Sequence, residues 1–200
     1  MGYHETTGKT NFRDIKGTEW YANEIDIATT QGYFVGSGKN VSVASDNLTR
    51  EQAVAFLTRN LKYEEDDRVN TDFVDGINFP TWSRGSINAA TNKGVVSGYQ
   101  DGTFRPKNNI TRAEAGTILY NALGKIINQP GSYNYGTVDG NVTISKSGVT
   151  LSDTVINGDL YITEGVELGY TNLRNVTVKG QVIISGGGES NIGGSSITFT

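Results

Sequence analysis

Apolar positions follow two different rhythms along this chain. Up to about residue 127 they recur at helical spacing. Tyr21, Ile25 and Ala28 fall at i, i+4 and i+7, and Gly32 follows as a stop. Trp82, Ile87 and Ala90 take the same role, with Pro80 ahead of the first turn and Gly94 as the stop. Ala115, Ile118, Leu119 and Ala122 run i, i+3, i+4, i+7. The last helix opens on Thr111-Arg112-Ala113-Glu114, a capping box in which the Thr111 hydroxyl and the Glu114 carboxylate satisfy each other's backbone amides. Thr49-Arg50-Glu51-Gln52 keeps the same logic further up the chain.

These helices belong to a duplicated unit. Residues 12–61 and 73–123 match at an offset of 62: Trp20 with Trp82, Ile25 with Ile87, Ala28 with Ala90, Gly32 with Gly94, Gly36 with Gly98 and Arg50 with Arg112. Phe12-x-Asp14 pairs with Phe73-x-Asp75 at an offset of 61. Each unit reads as two helices, and helices of about 12 residues are marginal alone, so the units are expected to pack together. In unit two the helices are joined by Gly98-Tyr99-Gln100-Asp101-Gly102-Thr103-Phe104-Arg105-Pro106, with a turn at Asp101-Gly102 and Phe104 as the loop's apolar plug.

Past Asn128 the rhythm changes to short β-runs cut by Gly, Asn and Asp. Runs beginning at Gly140, Gly158 and Gly180 resemble one another and start 18 and 22 residues apart. A β-repeat of about 20 residues predicts a solenoid. The fold expected is α+β and multidomain, with N-terminal all-α helix-pair repeats and a C-terminal right-handed parallel β-helix; an antiparallel β-sandwich is the alternative. The boundaries read as a tail at 1–11, repeats at 12–63 and 73–127, an acidic linker at 64–72, a second linker at 128–136 and the solenoid at 137–200. The last β-run, Ile197 to Thr200, shows no polar cap, which predicts a fragment or a face that meets a partner.

Composition narrows the function. Cysteine is absent, which excludes disulfides and thiolate sites, and the single histidine, His4, falls in the N-terminal tail, which argues against a Ser-His-Asp triad. No metal site or cofactor is expected. The net charge of −4 and pI near 5.0 argue against a sequence-independent grip on nucleic acid. No apolar run reaches the ~18 residues of a membrane span, and no signal peptide is visible. The 26 glycines, about twice the usual share, fit a turn-rich β region.

Phe73-x-Asp75, Trp82, Ile87, Ala90, Gly94, Gly98-Tyr99-x-Asp101-Gly102-Thr103-Phe104-x-Pro106 and Ile110-Thr111-Arg112-Ala113-Glu114-Ala115 carry nearly the full pattern of the S-layer homology (SLH) family, and unit two resembles that family. Unit one resembles a degenerate copy: Lys39, Asn40 and Ser42 stand where Asp101, Gly102 and Phe104 stand in unit two. The resemblance implies noncovalent anchoring of an extracellular bacterial surface protein to the cell wall. The implied partner is a secondary wall polysaccharide, a pyruvylated amino-sugar polymer. Three repeats usually make one assembly, so the resemblance leaves three readings: a third repeat upstream, another chain that completes the assembly, or a pair that works alone.

A pyruvyl ketal presents a carboxylate, which a planar guanidinium binds bidentately. Arg112, at the first position of a capped helix, is thereby the leading ligand residue, and Arg50 is its equivalent. Either arginine can instead pair with Asp14, Asp75 or another carboxylate. Asp101 is expected to accept sugar hydroxyls, with Gly98 and Gly102 letting backbone approach. Trp20 and Trp82 read first as core residues and second as sugar-stacking platforms. Thr49, Gln52, Thr111 and Glu114 are structural caps. Asp14 and Asp75 read as caps or turn residues ahead of the first helices. Two other readings stand beside anchoring: a surface-layer assembly module with no sugar affinity, and the non-catalytic start of a larger β-helix enzyme acting on polysaccharide. No catalytic residue is assigned, because the solenoid acids do not recur at one place on successive runs.

Overall fold

A computed structural model describes residues 12–30, 32–37, 40–70, 72–186 and 192–199, the last for their backbone only. The tail expected at 1–11 lies outside the described residues. Four helices come first: α1 (Ala22–Thr30), α2 (Arg50–Asn60), α3 (Thr81–Asn92) and α4 (Arg112–Leu123). Eight strands follow. β1 (Lys125–Ile127), β3 (Val142–Ile144), β5 (Leu160–Ile162) and β7 (Val182–Ile184) form one sheet. β2 (Gly131–Val138), β4 (Val149–Ile156), β6 (Thr171–Val178) and β8 (Ile192–Phe199) form the other. No described helix is long and apolar enough to cross a membrane. The chain divides into two compact units, and the division falls inside α4, after Ala115.

In the helical unit, α2 packs on α3. Val54, Ala55, Leu57, Ile87, Ala90 and Val95 are buried there. Phe73, Phe79 and Phe104 close a triangle with ring centroids 5.4–6.0 Å apart. Phe104 is fully buried, as a loop plug should be. The segment read as an acidic linker is bonded to α3. Asn88 donates to the Asp66 and Arg68 carbonyls (2.6 and 2.9 Å), and Ser86 donates to Glu65 (2.5 Å).

The duplication is present in the backbone as well. Asp14 accepts from the amides of Ser42 (2.7 Å) and Val43 (2.8 Å). Asp75 accepts from the amides of the equivalent Phe104 and Arg105, both at 2.9 Å. These two aspartates therefore hold a loop about thirty residues on; they do not cap the first helices. Equivalent residues are left-handed in both loops: Asn40 (φ 55°) with Gly102 (φ 77°), and Val43 (φ 51°) with Arg105 (φ 58°).

The β unit is a parallel solenoid. Every strand pair in both sheets is parallel, in registers such as Ile127↔Ile144 and Leu151↔Leu173, which excludes the antiparallel sandwich. Stacked aliphatic side chains fill its interior, among them Ile127, Ile144, Leu151, Ile156, Leu160, Ile162, Val176 and Val178. One corner is locked by a side-chain ladder: Asn141 Oδ1 accepts the Asp159 amide (2.7 Å), and Asp159 Oδ1 accepts the Gln181 amide (2.8 Å). Glycine is required beside it, since a Cβ on Gly158 or Gly180 would stand 2.3 Å from those oxygens.

The solenoid begins earlier than its sequence suggests. β1 starts two residues after α4, and β2 occupies most of 128–136, the stretch read as a linker. The helix end is also the solenoid's starting cap. Carbonyls in the last turn of a helix lack intrahelical donors. Asn141 Nδ2 supplies one to Ala122 O and Thr143 Oγ1 one to Leu123 O, both at 2.7 Å. Gly124 takes the left-handed turn (φ 60°) between helix and strand.

Candidate functional site

The candidate residues cluster where the 98–106 loop meets the first turns of α2 and α4. Both capping boxes form. Gln52 N donates to Thr49 Oγ1 (3.4 Å) while Thr49 N donates to Gln52 (2.9 Å). Glu114 N donates to Thr111 Oγ1 (3.2 Å) while Thr111 N donates to Glu114 (2.8 Å).

The two arginines inside those boxes differ. Arg112 is exposed and has no ion-pair partner among the described residues. Arg50 is 6% exposed. Its Nη2 donates to the Ser97 carbonyl (2.7 Å), and its Nη1 meets Glu114 Oε1 (3.3 Å). The guanidinium carbon lies 4.8 Å from the Phe104 ring centroid and 5.1 Å from that of Tyr99. Of the two expectations for Arg50, the pairing with a carboxylate is present in the structure, and the carboxylate is Glu114. The amides at the start of α2 are used too. Arg50 N donates to Asn108 O (2.8 Å) and Glu51 N to Pro106 O (2.9 Å).

Tyr99 is the centre of a column. Arg105 stacks on it at 4.1 Å, so Phe104, Arg50, Tyr99 and Arg105 alternate ring and cation. The Tyr99 hydroxyl donates to Glu114. That bond, with those from Thr111 and the nearby Arg50 charge, lowers the Glu114 pKa to about 2; the same bond, with burial, raises that of Tyr99. Tyr99 belongs to the family pattern but takes no role from it, and nothing in the sequence singles out Arg105 or the Ser97 carbonyl. Their importance comes from what α2 brings against them.

The loop residues serve the loop. Asp101 Oδ1 accepts from Thr103 N (3.0 Å) and Thr103 Oγ1 (2.6 Å), and its Oδ2 from Arg105 (2.6 Å). These bonds hold its carboxyl well below the usual range. A sugar hydroxyl would have to compete with them. Gly98 is a packing glycine: a Cβ there would stand 2.9 Å from the Phe73 ring, as one on Gly36 would stand 2.6 Å from Phe12. Gly102 supplies the left-handed turn.

Neither tryptophan is a core residue. Trp82 is 49% exposed while Ile87 and Ala90 of the same helix are buried. Trp20 is 88% exposed, edge-to-face with Tyr21 at 5.4 Å. The helical spacing that grouped Trp82 with Ile87 placed it on the wrong side of α3. Among the described residues no group of three or more His, Asp or Glu gathers as for a metal.

Residues 72–115, which carry the loop, Arg112 and Glu114, match the S-layer homology domain family. This stretch is an S-layer homology domain. The chain is 36% identical over 129 residues to an amylopullulanase of Thermoanaerobacterium thermosulfurigenes, covering 62% of this chain and 7% of that protein. It is 30% identical over 116 residues to a cellulosome-anchoring protein of Acetivibrio thermocellus, 56% of this chain and 26% of that one. A surface-layer 125 kDa protein of Lysinibacillus sphaericus is 26% identical over 156 residues, 74% of this chain and 13% of its own length. The chain thus spans a small part of each of these relatives, and the amylopullulanase name describes a protein of which the matched stretch is 7%. The matched stretch supplies the arginine without an ion-pair partner among the described residues, and the segment before it supplies the buried one.

Proposed function

We propose that this protein is held noncovalently on a bacterial cell wall, its S-layer homology domain binding an anionic wall polysaccharide through Arg112. The observation that carries this is the exposed Arg112 at the start of α4, without an ion-pair partner among the described residues, inside the segment that matches the family. A helix start favours anions through its dipole, and a guanidinium adds a planar fork for carboxylate. The protein is one of the bacterial cell surface, as the cell-surface, cell-wall and anchoring names of its relatives support. The stretch acts as a binding module, and in relatives named as enzymes the matched part is a small share of the protein.

The finer reading is a pyruvylated amino-sugar polymer, its ketal carboxylate on Arg112 and a pyranose face on Trp82. A third repeat or another chain completes the assembly. Isothermal titration with purified wall polysaccharide, native and depyruvylated, tests this. Binding to the native polymer is expected to weaken with salt, with depyruvylation, and about tenfold or more with Arg112→Ala. Equal binding of both polymers would remove the ketal. Binding to neither, with self-association in its place, would favour the assembly reading, to which the exposed Trp20, Val74 and Ile77 lend surface.

A further inference from the structure

The residue before Arg112 is fixed by a group that the preceding repeat holds. Glu114 divides its two oxygens. Oε2 takes the amide and hydroxyl of Thr111, both at 2.8 Å. Oε1 takes Arg50 and the Tyr99 hydroxyl. The chain leading into α4 is bonded to the same neighbour. Asn108 O and Pro106 O accept from the Arg50 and Glu51 amides, Ile110 N donates to Leu48 O (3.0 Å), and Thr49 and Asn109 form an antiparallel bridge. Leu48 to Glu51 therefore grips Pro106 to Ile110 by backbone and Glu114 by side chain. Arg112 lies between those two grips.

Stability alone does not account for Arg50. A buried ion pair gives back much of its attraction in desolvation. The Nε donor of Arg50 is also buried without a partner. What the guanidinium does fix is geometry: hydrogen bonds to Ser97 O and Glu114 and contacts with the Tyr99 and Phe104 rings. An ammonium can do neither job in this way.

We infer that Arg50 is a positioning residue: from the first repeat it sets the place of Glu114 and Thr111, and so the direction of Arg112 in the second. The inference rests on the wall-binding reading for its functional consequence. Binding by the second repeat then depends on a side chain of the first that touches no ligand. The degenerate repeat keeps its arginine for its neighbour's site.

The test uses the full chain, with native wall polysaccharide as the probe, and compares Arg50→Lys, Tyr99→Phe, Arg112→Ala and the Arg50→Lys/Arg112→Ala pair. Affinity is read across a salt series, and exchange of the Thr111 amide is read by NMR without polymer. Arg50→Lys is expected to weaken binding about tenfold, leave the salt slope unchanged and speed Thr111 exchange. Tyr99→Phe, which keeps both charges, follows it to a smaller extent. Arg112→Ala flattens the slope, because a charge on the polymer loses its partner. The pair is no weaker than Arg112→Ala alone. A pair that binds more weakly than Arg112→Ala alone would make Arg50 an independent contact residue and overturn the inference, as would unchanged affinity with unchanged exchange. Should the wild type fail to bind polymer, the wall-binding reading falls by itself. Thr111 exchange then decides the positioning: faster exchange in Arg50→Lys upholds it, and no change overturns it.

Discussion

Arg50 and Arg112 hold the same place in two copies of one motif, and the protein uses them in opposite ways. One is enclosed between two rings and a carboxylate, while the other faces solvent. The motif does not decide between these outcomes. The surroundings do: Arg50 meets two aromatic rings and Glu114, all supplied by residues 97–114.

The sharpest way to break this comparison is to give the second loop the first loop's chemistry. Phe104 is fully buried, stacks under Arg50 and closes the aromatic triangle. Phe104→Ala is expected to cost about 3–5 kcal/mol in denaturant unfolding, the range for a large buried aromatic. A loss below about 1 kcal/mol would mean that the loop can close without its plug.

The aspartate clamps come next. Asp75→Ala strips the acceptor from the amides of Phe104 and Arg105, the first of them partly buried. About 1–3 kcal/mol is expected. Asp14→Ala removes more bonds, those to Ser42 N, Ser42 Oγ and Val43 N, yet its carboxylate is exposed and water can replace it. A smaller loss is expected there. Equal losses would show that bond number outweighs burial in these loops.

Much of this geometry is legible in sequence, and the failures have a common cause. The 62-residue offset, both capping boxes and the Phe104 plug are local patterns, and each is present. Burial of Arg50 depends on residues 97–114, almost fifty positions away, which no local window holds. Trp82 misled because Ile87 and Ala90 lie on the buried side of α3, and the tryptophan, an anchor by composition, turns away from them. The solenoid's first coil was hidden by its polarity. Lys125–Ile127 is three residues long, and Gly131–Val138 shows an alternation carried by Tyr133, Tyr135 and Val138, which pack on the core, amid Ser, Asn and Gly.

Acid should separate the repeats more gently. Glu114 titrates near 2 in the folded protein, against 4.5 for a free glutamate, chiefly because Tyr99 donates to it. A depressed carboxylate adds stability above its unfolded value and loses it as pH falls through the folded one. The contribution is then complete above about pH 4.5 and disappears toward pH 2. After allowance for partial exposure it amounts to about 1–2 kcal/mol. Glu114→Gln should therefore lower the melting temperature at pH 7, with the gap to wild type closing as pH falls from 4.5 to 2. Gln52, its counterpart in the first repeat, does not titrate, and Gln52→Glu should leave the acid limb nearly unchanged. A gap that stays constant with pH would show that Glu114 acts by shape alone.

The smallest effect bears on what the clamps hold. Val43 and Arg105 are equivalent, left-handed and clamped. For a β-branched side chain that conformation costs about 1–2 kcal/mol. Glycine adopts it freely but gives up more entropy on folding. Val43→Gly is therefore expected to stabilise by roughly 1 kcal/mol or less. Arg105→Gly relieves the same backbone but removes the stack on Tyr99 and the pair with Asp101, so its net effect is zero or a loss. Denaturant midpoints of the two variants decide the matter. If Val43→Gly loses stability while Arg105→Gly gains it, the Tyr99 column is not what keeps an arginine in the second loop, and the contrast between the loops must come from packing against α3 instead.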